Sequence, residues 1–189
     1  MERKLALSVL AKQHDSKLIP SLIAILSEQD SDWGVRIEAA KALGVLQSQE
    51  AVPTLIDALE GDDEWVATAA AEALGKIKDT RAVPSLIKVL QSEAVVKLIS
   101  EIQKRNDPKE AIPAVQYIAD FTELRSLAAE ALGQTANDEA LEALAAALYD
   151  DNDMWRGVQY TVVRVLQQMN TAKARNFLNE WEQHNSHSS

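Results

Sequence analysis

The sequence predicts an all-α solenoid, a stack of helical hairpins, on three observations. A ten-residue pattern recurs as "VRIEAAKALG" from Val35, "VATAAAEALG" from Val66 and "LRSLAAEALG" from Leu124. A proline-led pattern recurs as "LIPSLIAIL", "AVPTLIDAL", "AVPSLIKVL" and "AIPAVQYIA", its prolines Pro20, Pro53, Pro84 and Pro113 separated by 33, 31 and 29 residues. Periods of this size belong to repeat architectures, in which a unit buries its apolar face only by stacking on its neighbours. Finally, the 189 residues are 47% hydrophobic but only 5% aromatic, and alanine is abundant, a mixture that suits helices packed closely through small side chains. No convincing strand is present.

The elements follow in order. Leu43 precedes Pro53 by ten positions and Leu74 precedes Pro84 by ten, and the same rule pairs Leu10 with Pro20. "ERKLALSVLA" is therefore read as the second helix of an earlier repeat, with Arg3 in register with Arg36. The competing reading of "LALSVLA" as a signal sequence fails on its shortness, the lack of a small-residue cleavage site and the interruption at Lys12. In each following unit the proline suits the first turn of a first helix, where its missing N–H has no intrahelical partner to lose. Apolar positions such as Leu55, Ile56 and Leu59 then recur at helical spacing. The turns "SEQDSDW", "EGDDEW" and "YDDNDMW" are rich in capping acceptors and place negative charge at a helix N-terminus. In the second helix, Val35, Ala39, Ala42, Leu43 and Leu46 share one face with Ala40 beside it, and Gly44, Gly75 and Gly133 permit close approach of a neighbouring helix. Glycine costs about 1 kcal/mol against alanine inside a helix, so packing or a helix end must compensate.

One unit departs from the pattern. Spacing from Pro84 places its second helix over Val95 to Lys104, with Gln103 and Lys104 where its siblings have leucine and glycine. Gln116 replaces the isoleucine of Ile56 and Ile87, and altered packing or a change of curvature is expected over residues 93–120. Beyond it, "EALEALAAALYDD" from Glu139 reads as a first helix without proline, "VQYTVVRVLQQ" from Val158 as a second, and "AKARNFLNEW" from Ala172 as a closing first helix. The expected organisation is one domain over residues 1–181, in units 1–17, 18–50, 51–81, 82–110, 111–139, 140–172 and 173–181: a half repeat, five repeats and a half repeat. Residues 182–189, "EQHNSHSS", read as a polar, disordered tail. A chain that begins and ends inside a repeat fits natural half-repeat caps or a piece of a longer protein.

A proline-led first helix, an acidic turn and then "VRIEAAKALG" resemble the HEAT-like repeats of the phycobilin lyase type, over nearly the whole chain to about Trp181. The resemblance implies a right-handed solenoid whose second helices line a concave face, along which such solenoids bind another macromolecule.

Composition excludes several chemistries. The chain has no cysteine, so disulfides, thiolate metal sites and a cysteine nucleophile are out; a reducing, cytoplasmic location is the expectation. A formal net charge of -10 opposes a nucleic-acid backbone and an anionic membrane surface, and no apolar run approaches the roughly 20 residues that span a bilayer. The histidines are His14, His184 and His187. Some HEAT-like proteins are metal-dependent hydroxylases with His-Glu pairs, and no His-Glu dipeptide occurs here, which excludes that branch. Only His14, in a linker, is available to a histidine-based triad, and no nucleophile and orienting acid accompany it. "DDNDMWRG" from Asp150 lacks the glycine and glutamate of a calcium loop. No catalytic residue, metal ligand or cofactor is assigned.

Recognition is therefore sought on the surface. Equivalent second-helix positions hold Lys41, Glu72, Glu101, Glu130 and Arg164, a charged row along the concave side; exposed charges of this kind also form self-screened ladders. Tyr160 is the candidate exposed aromatic on that side. Trp33, Trp65 and Trp155 sit at or just before their second helices; their unequal offsets favour plugs that close each turn over binding anchors. Arg3, Arg36 and Arg125 are assigned to structure, pairing with an acid of an adjacent turn. The expected function is a non-catalytic module that binds another protein along the second helices. The alternative is a phycobilin lyase-like component positioning a bilin and its acceptor protein, the only reading that brings a cofactor. A third, a HEAT-like DNA glycosylase, needs a basic groove, which the Glu72, Glu101 and Glu130 row opposes.

Overall fold

The computed structural model describes residues 15–28, 32–93, 108–150 and 156–186, with the backbone alone over residues 108–117. Short 3-10 turns at Ser16–Leu18, Gln49–Ala51 and Thr80–Ala82 lead into α1 (Ile19–Ser27), α3 (Val52–Leu59) and α5 (Val83–Leu90). Each of these helices has its proline in the first turn, as the sequence predicts. The acidic turns cap as expected: Asp32 accepts the Gly34 N–H at 2.8 Å and opens α2 (Trp33–Val45). Asp63 accepts the N–H groups of Trp65 and Val66, both at 3.1 Å, and opens α4 (Glu64–Ile77). The chain continues through α6 (Pro108–Thr135), α7 (Asp138–Ala147), α8 (Arg156–Met169) and α9 (Ala172–Ser186). No strand occurs among the described residues.

The helices form two layers. In the first, α1 packs beside α3, α5 beside α7 and α7 beside α9; in the second, α2, α4, α6 and α8 pack in that order. Hairpins join the layers as α1 with α2, α3 with α4, α5 with α6 and α7 with α8. Leucines run through the middle, with Leu43, Leu55, Leu74, Leu86, Leu132, Leu144 and Leu166 all fully buried. Each such side chain contributes roughly 1.5–3 kcal/mol relative to exposure, so the stack is held by apolar burial along its length. The result is an all-α solenoid.

The glycines set the spacing of the second layer. A Cβ on Gly44 would lie 2.8 Å from Ala73 Cα, and one on Gly75 would lie 3.1 Å from Ala131 Cα. In both cases the obstacle includes backbone, so the neighbouring helix itself would have to move. These glycines are not helix ends. The left-handed residues that terminate the second-layer helices are Gln47, Lys78, Ala136 and Asn170, at φ 49°, 59°, 51° and 48°.

The expected hairpin after Pro113 is a single helix instead. Pro113 was expected in the first turn of a first helix, with a second helix from Leu124; α6 runs without a break from Pro108 to Thr135. The reason is local: "DFTE" at residues 120–123 contains no glycine, is shorter than the acidic, polar runs that separate the other pairs, and carries a buried apolar residue, Phe121, in its middle, and Pro108 already occupies the start. The C-terminal half of α6 takes the place beside α5 that α2 has beside α1. Arg36 Nε donates to the Leu26 carbonyl at 3.1 Å, and Arg125 Nε donates to the Leu90 carbonyl at 2.7 Å. Units expected at 82–110 and 111–139 thus contribute one hairpin between them in the described residues. At 28 residues α6 is about 42 Å long, against about 21 Å for the 14 residues of α4. The sequence placed an irregularity at 93–120; Val95 to Lys104, with Glu101 and Gln103, lies outside the described residues.

The C-terminal expectation also changes. Residues 182–186 are the last residues of α9 rather than disordered tail. No glycine or proline stops the helix there, and His184 packs edge-on against Tyr149, ring centroids 6.0 Å apart. Trp181 Nε1 donates to the Leu148 carbonyl at 2.8 Å, and Lys173 reaches Glu142 at 2.7 Å, so α9 is tied to α7 and its C-terminal cap.

Candidate functional site

The second layer brings most of the expected charged row together. Glu72 on α4 and Glu130 on α6 line one groove of about 410 Å³, with Gln47, Lys76, Leu127 and Gln134. Glu130 and Gln134 also line the next groove, about 230 Å³, with Arg164, Gln168 and Met169. Lys41 is exposed on α2, one turn before Gly44. Tyr160 is 76% exposed on α8, one helical turn before Arg164 and hence on the same side. Glu101 lies outside the described residues.

Electrostatically the row is a compensated ladder. Glu72 pairs with Lys76 of its own helix at 2.7 Å, and Glu130 pairs with Arg164 across the α6–α8 boundary. All four side chains are at least two-fifths exposed, where such pairs are worth about 0–1 kcal/mol. The face is therefore mixed in sign rather than acidic. Lys76 was legible from the four-residue spacing to Glu72, which marks a helical ion pair, and was not part of the expected row.

The tryptophans behave differently from the expectation. Trp33 and Trp65 are 56% and 52% exposed, so neither plugs its turn. As the first residue of α2 and the second of α4, they stand where the capping aspartates start each helix, and the core-facing positions fall to their neighbours Gly34 and Val66, both buried. Both indoles line one open groove of about 1010 Å³ at the turn end of the first two hairpins, together with Arg36, Asp57 and Asp62. Asp57 was missed in the sequence; its signal was its place opposite Leu55 and Leu59 on α3. Trp155 lies outside the described residues.

The arginines are structural. Arg125 is 2% exposed; besides its bond to Leu90 it donates from Nη2 to Asp150 Oδ2 at 3.2 Å. Burial pulls its guanidinium below the ordinary arginine range, and the hydrogen bond and charge of Asp150 pull it back. This is the expected pairing with an acid of the adjacent turn. Arg36 holds the Leu26 carbonyl instead, and Arg3 lies outside the described residues.

No group of three or more His, Cys, Asp and Glu side chains among the described residues has the geometry to hold a metal ion. No helix among the described residues is long and apolar enough to cross a membrane.

Comparison with known proteins agrees with the architecture. No curated protein matches the chain significantly. Human deoxyhypusine hydroxylase, solved in complex with glycerol, is similar in structure with a TM-score of 0.57 at 20% identity, over 79% of this chain and 43% of that one. The chain thus spans less than half the length of that protein, and identity at this level shows the fold alone. The complex of CpcE and CpcF of phycocyanin lyase from Nostoc sp. PCC7120 gives a TM-score of 0.47 at 23% identity, over 96% of this chain and 88% of that one. HEAT repeats match residues 2–64, 19–103 and 112–188. The two-layer stack, its repeated caps and its glycine-spaced second helices are those of a solenoid, and the chain belongs to the HEAT repeat family.

Proposed function

We propose that the chain is a protein-binding scaffold without chemistry of its own, which holds its partner along the second-layer face of α2, α4, α6 and α8. One observation carries this reading: two grooves on that face share Glu130 and Gln134, so three successive helices present one extended polar surface. Solenoids offer such surfaces because each unit adds a similar strip to the last. Tyr160, three-quarters exposed, supplies an amphipathic aromatic of the type enriched at interface centres. Lys41, Glu72, Glu130 and Arg164 supply register through two cations flanking two carboxylates. Cytoplasmic location, and a partner that is a protein rather than a nucleic acid, belong to the same reading.

Affinity capture with the wild type, a Glu72→Lys, Glu130→Lys variant and a Glu139→Lys control on α7 tests it. The expected result is a protein retained by the wild type and the control and lost with the folded double variant. Equal retention by all three overturns the second-layer assignment. A visible absorbance change on mixing the chain with a bilin would replace this reading with the pigment-lyase one.

A further inference from the structure

We propose that the groove between the first two hairpins binds an extended protein segment bearing lysine or arginine side chains, which stack on the indoles of Trp33 and Trp65. This site lies at the turn edge of the stack, and uses none of the residues of the second-layer face.

Two large aromatic side chains, 56% and 52% exposed, converge on one groove. Its volume of about 1010 Å³ and its open side suit a length of chain better than a small molecule, because small ligands are held in pockets of roughly 300–1,000 Å³ that enclose most of their surface. The groove spans one hairpin-to-hairpin step, about 10 Å, which three or so extended residues cover at roughly 3.3 Å each.

Charge selects the occupant. Asp57, Asp62, Asp63 and Glu64 all line the groove, and among the described residues Arg36 is its one lining cation. Arg36 directs its Nε to the Leu26 carbonyl. Asp63 spends an oxygen on capping α4 and still contributes its negative charge. An acidic segment would meet four carboxylates, and an apolar one would strip water from Asp57 and Asp62 without giving them donors. A lysine or arginine satisfies both demands: its cationic head lies over an indole face, within about 6 Å of the ring, and within reach of the carboxylates. Its methylene stem covers the exposed aromatic surface.

The test uses two capped, fluorescein-labelled peptides, one alternating lysine with glycine and one alternating glutamate with glycine, titrated by anisotropy at low and moderate salt. The overall charge of -10 attracts any polycation, so position must be separated from net charge. The variants are Trp33→Ala with Trp65→Ala, Asp57→Asn with Asp62→Asn, and a charge-matched control, Glu180→Gln with Glu182→Gln, at the exposed end of α9. The lysine peptide is expected to bind the wild type and the control alike, and to weaken by roughly tenfold with the tryptophan pair removed. It should also weaken with the aspartates of the groove neutralised. If the tryptophan variant loses helicity by circular dichroism, the aspartate variant against its control gives the same reading. Failure of the lysine peptide to bind, equal binding by the glutamate peptide, or equal losses in the groove and control variants overturns the proposal.

Discussion

The first two hairpins and the third are built from the same helix types yet joined differently. Between α1 and α2, and between α3 and α4, a few polar residues suffice, and Asp32 and Asp63 start the second helix through capping bonds. Between α5 and the packed half of α6 the chain travels from Leu90 to Phe121, much of that distance as the extra turns of α6. The arginine that latches the hairpin is nevertheless conserved in role: Arg36 and Arg125 each hold the last carbonyl region of the preceding helix. Hairpin packing is therefore specified by the contact surfaces, with an arginine latch added in the first and third hairpins and Ala67 in its place in the second, while the connection differs widely in length.

The strongest way to break this comparison is to remove the latches. Arg125→Ala takes a buried guanidinium from the Leu90 carbonyl and from Asp150 and is expected to destabilise the fold by about 3–5 kcal/mol, two hydrogen bonds of a charged donor at roughly 1.5–3 kcal/mol each, measured by urea unfolding. Arg36→Ala, partly buried, should cost about 1 kcal/mol. Equal losses would contradict the greater burial of the third hairpin's latch.

Next in size is Ala119→Pro. Ala119 is exposed and interior to α6, so proline there should cost about 3 kcal/mol. A near-neutral effect in thermal melts would mean that α6 is broken into two helices, as the sequence alone suggested with a first helix led by Pro113 and a second from Leu124.

Smaller and of opposite sign is Ala136→Gly. Ala136 ends α6 at φ 51°, where glycine avoids a left-handed strain of roughly 1 kcal/mol, and a modest rise in Tm is expected. The smallest effect concerns acid. Hydrogen bonds from the Arg81 side chain and backbone hold the Asp79 carboxyl below its ordinary value. A depressed folded value contributes stability that is full above the ordinary carboxylate pKa near 4 and is lost as pH falls through the lower one. Asp79→Asn should therefore flatten the stability curve below about pH 4, compared by urea titrations at several pH values.

Legibility in the sequence follows from how local each signal is. Pro20, Pro53 and Pro84 marked first turns because a short period and a polar run surrounded each of them. "AIPAVQYIA" carried the same letters at Pro113, but helix termination depends on the residues that follow, and "DFTE" offers no stop. Glycine spacing was readable because Gly44 and Gly75 sit at one register in their repeats, and the close contacts with Ala73 and Ala131 bear it out. Row membership of Glu72, Glu130 and Arg164 was readable for the same reason. Their pairing was not, because the Glu130–Arg164 contact depends on how two helices cross. Exposure of Trp33 and Trp65 was hidden too: an indole's burial is decided by which residue the cap makes first in the helix, a matter of one position.

The left-handed steps at Gln47 and Lys78 carry a consequence for engineering the molecule's length. Residues 48–78 begin just after one such step and end on the next, and both steps hand the chain to a 3-10 turn and a proline-started helix. A tandem copy of that segment spliced after Lys78 would present, at each new seam, the backbone exit of α4 and the entry of α3. The stack would grow by about one helix spacing, roughly 10 Å, which makes this hairpin the natural unit for extending the molecule as a ruler.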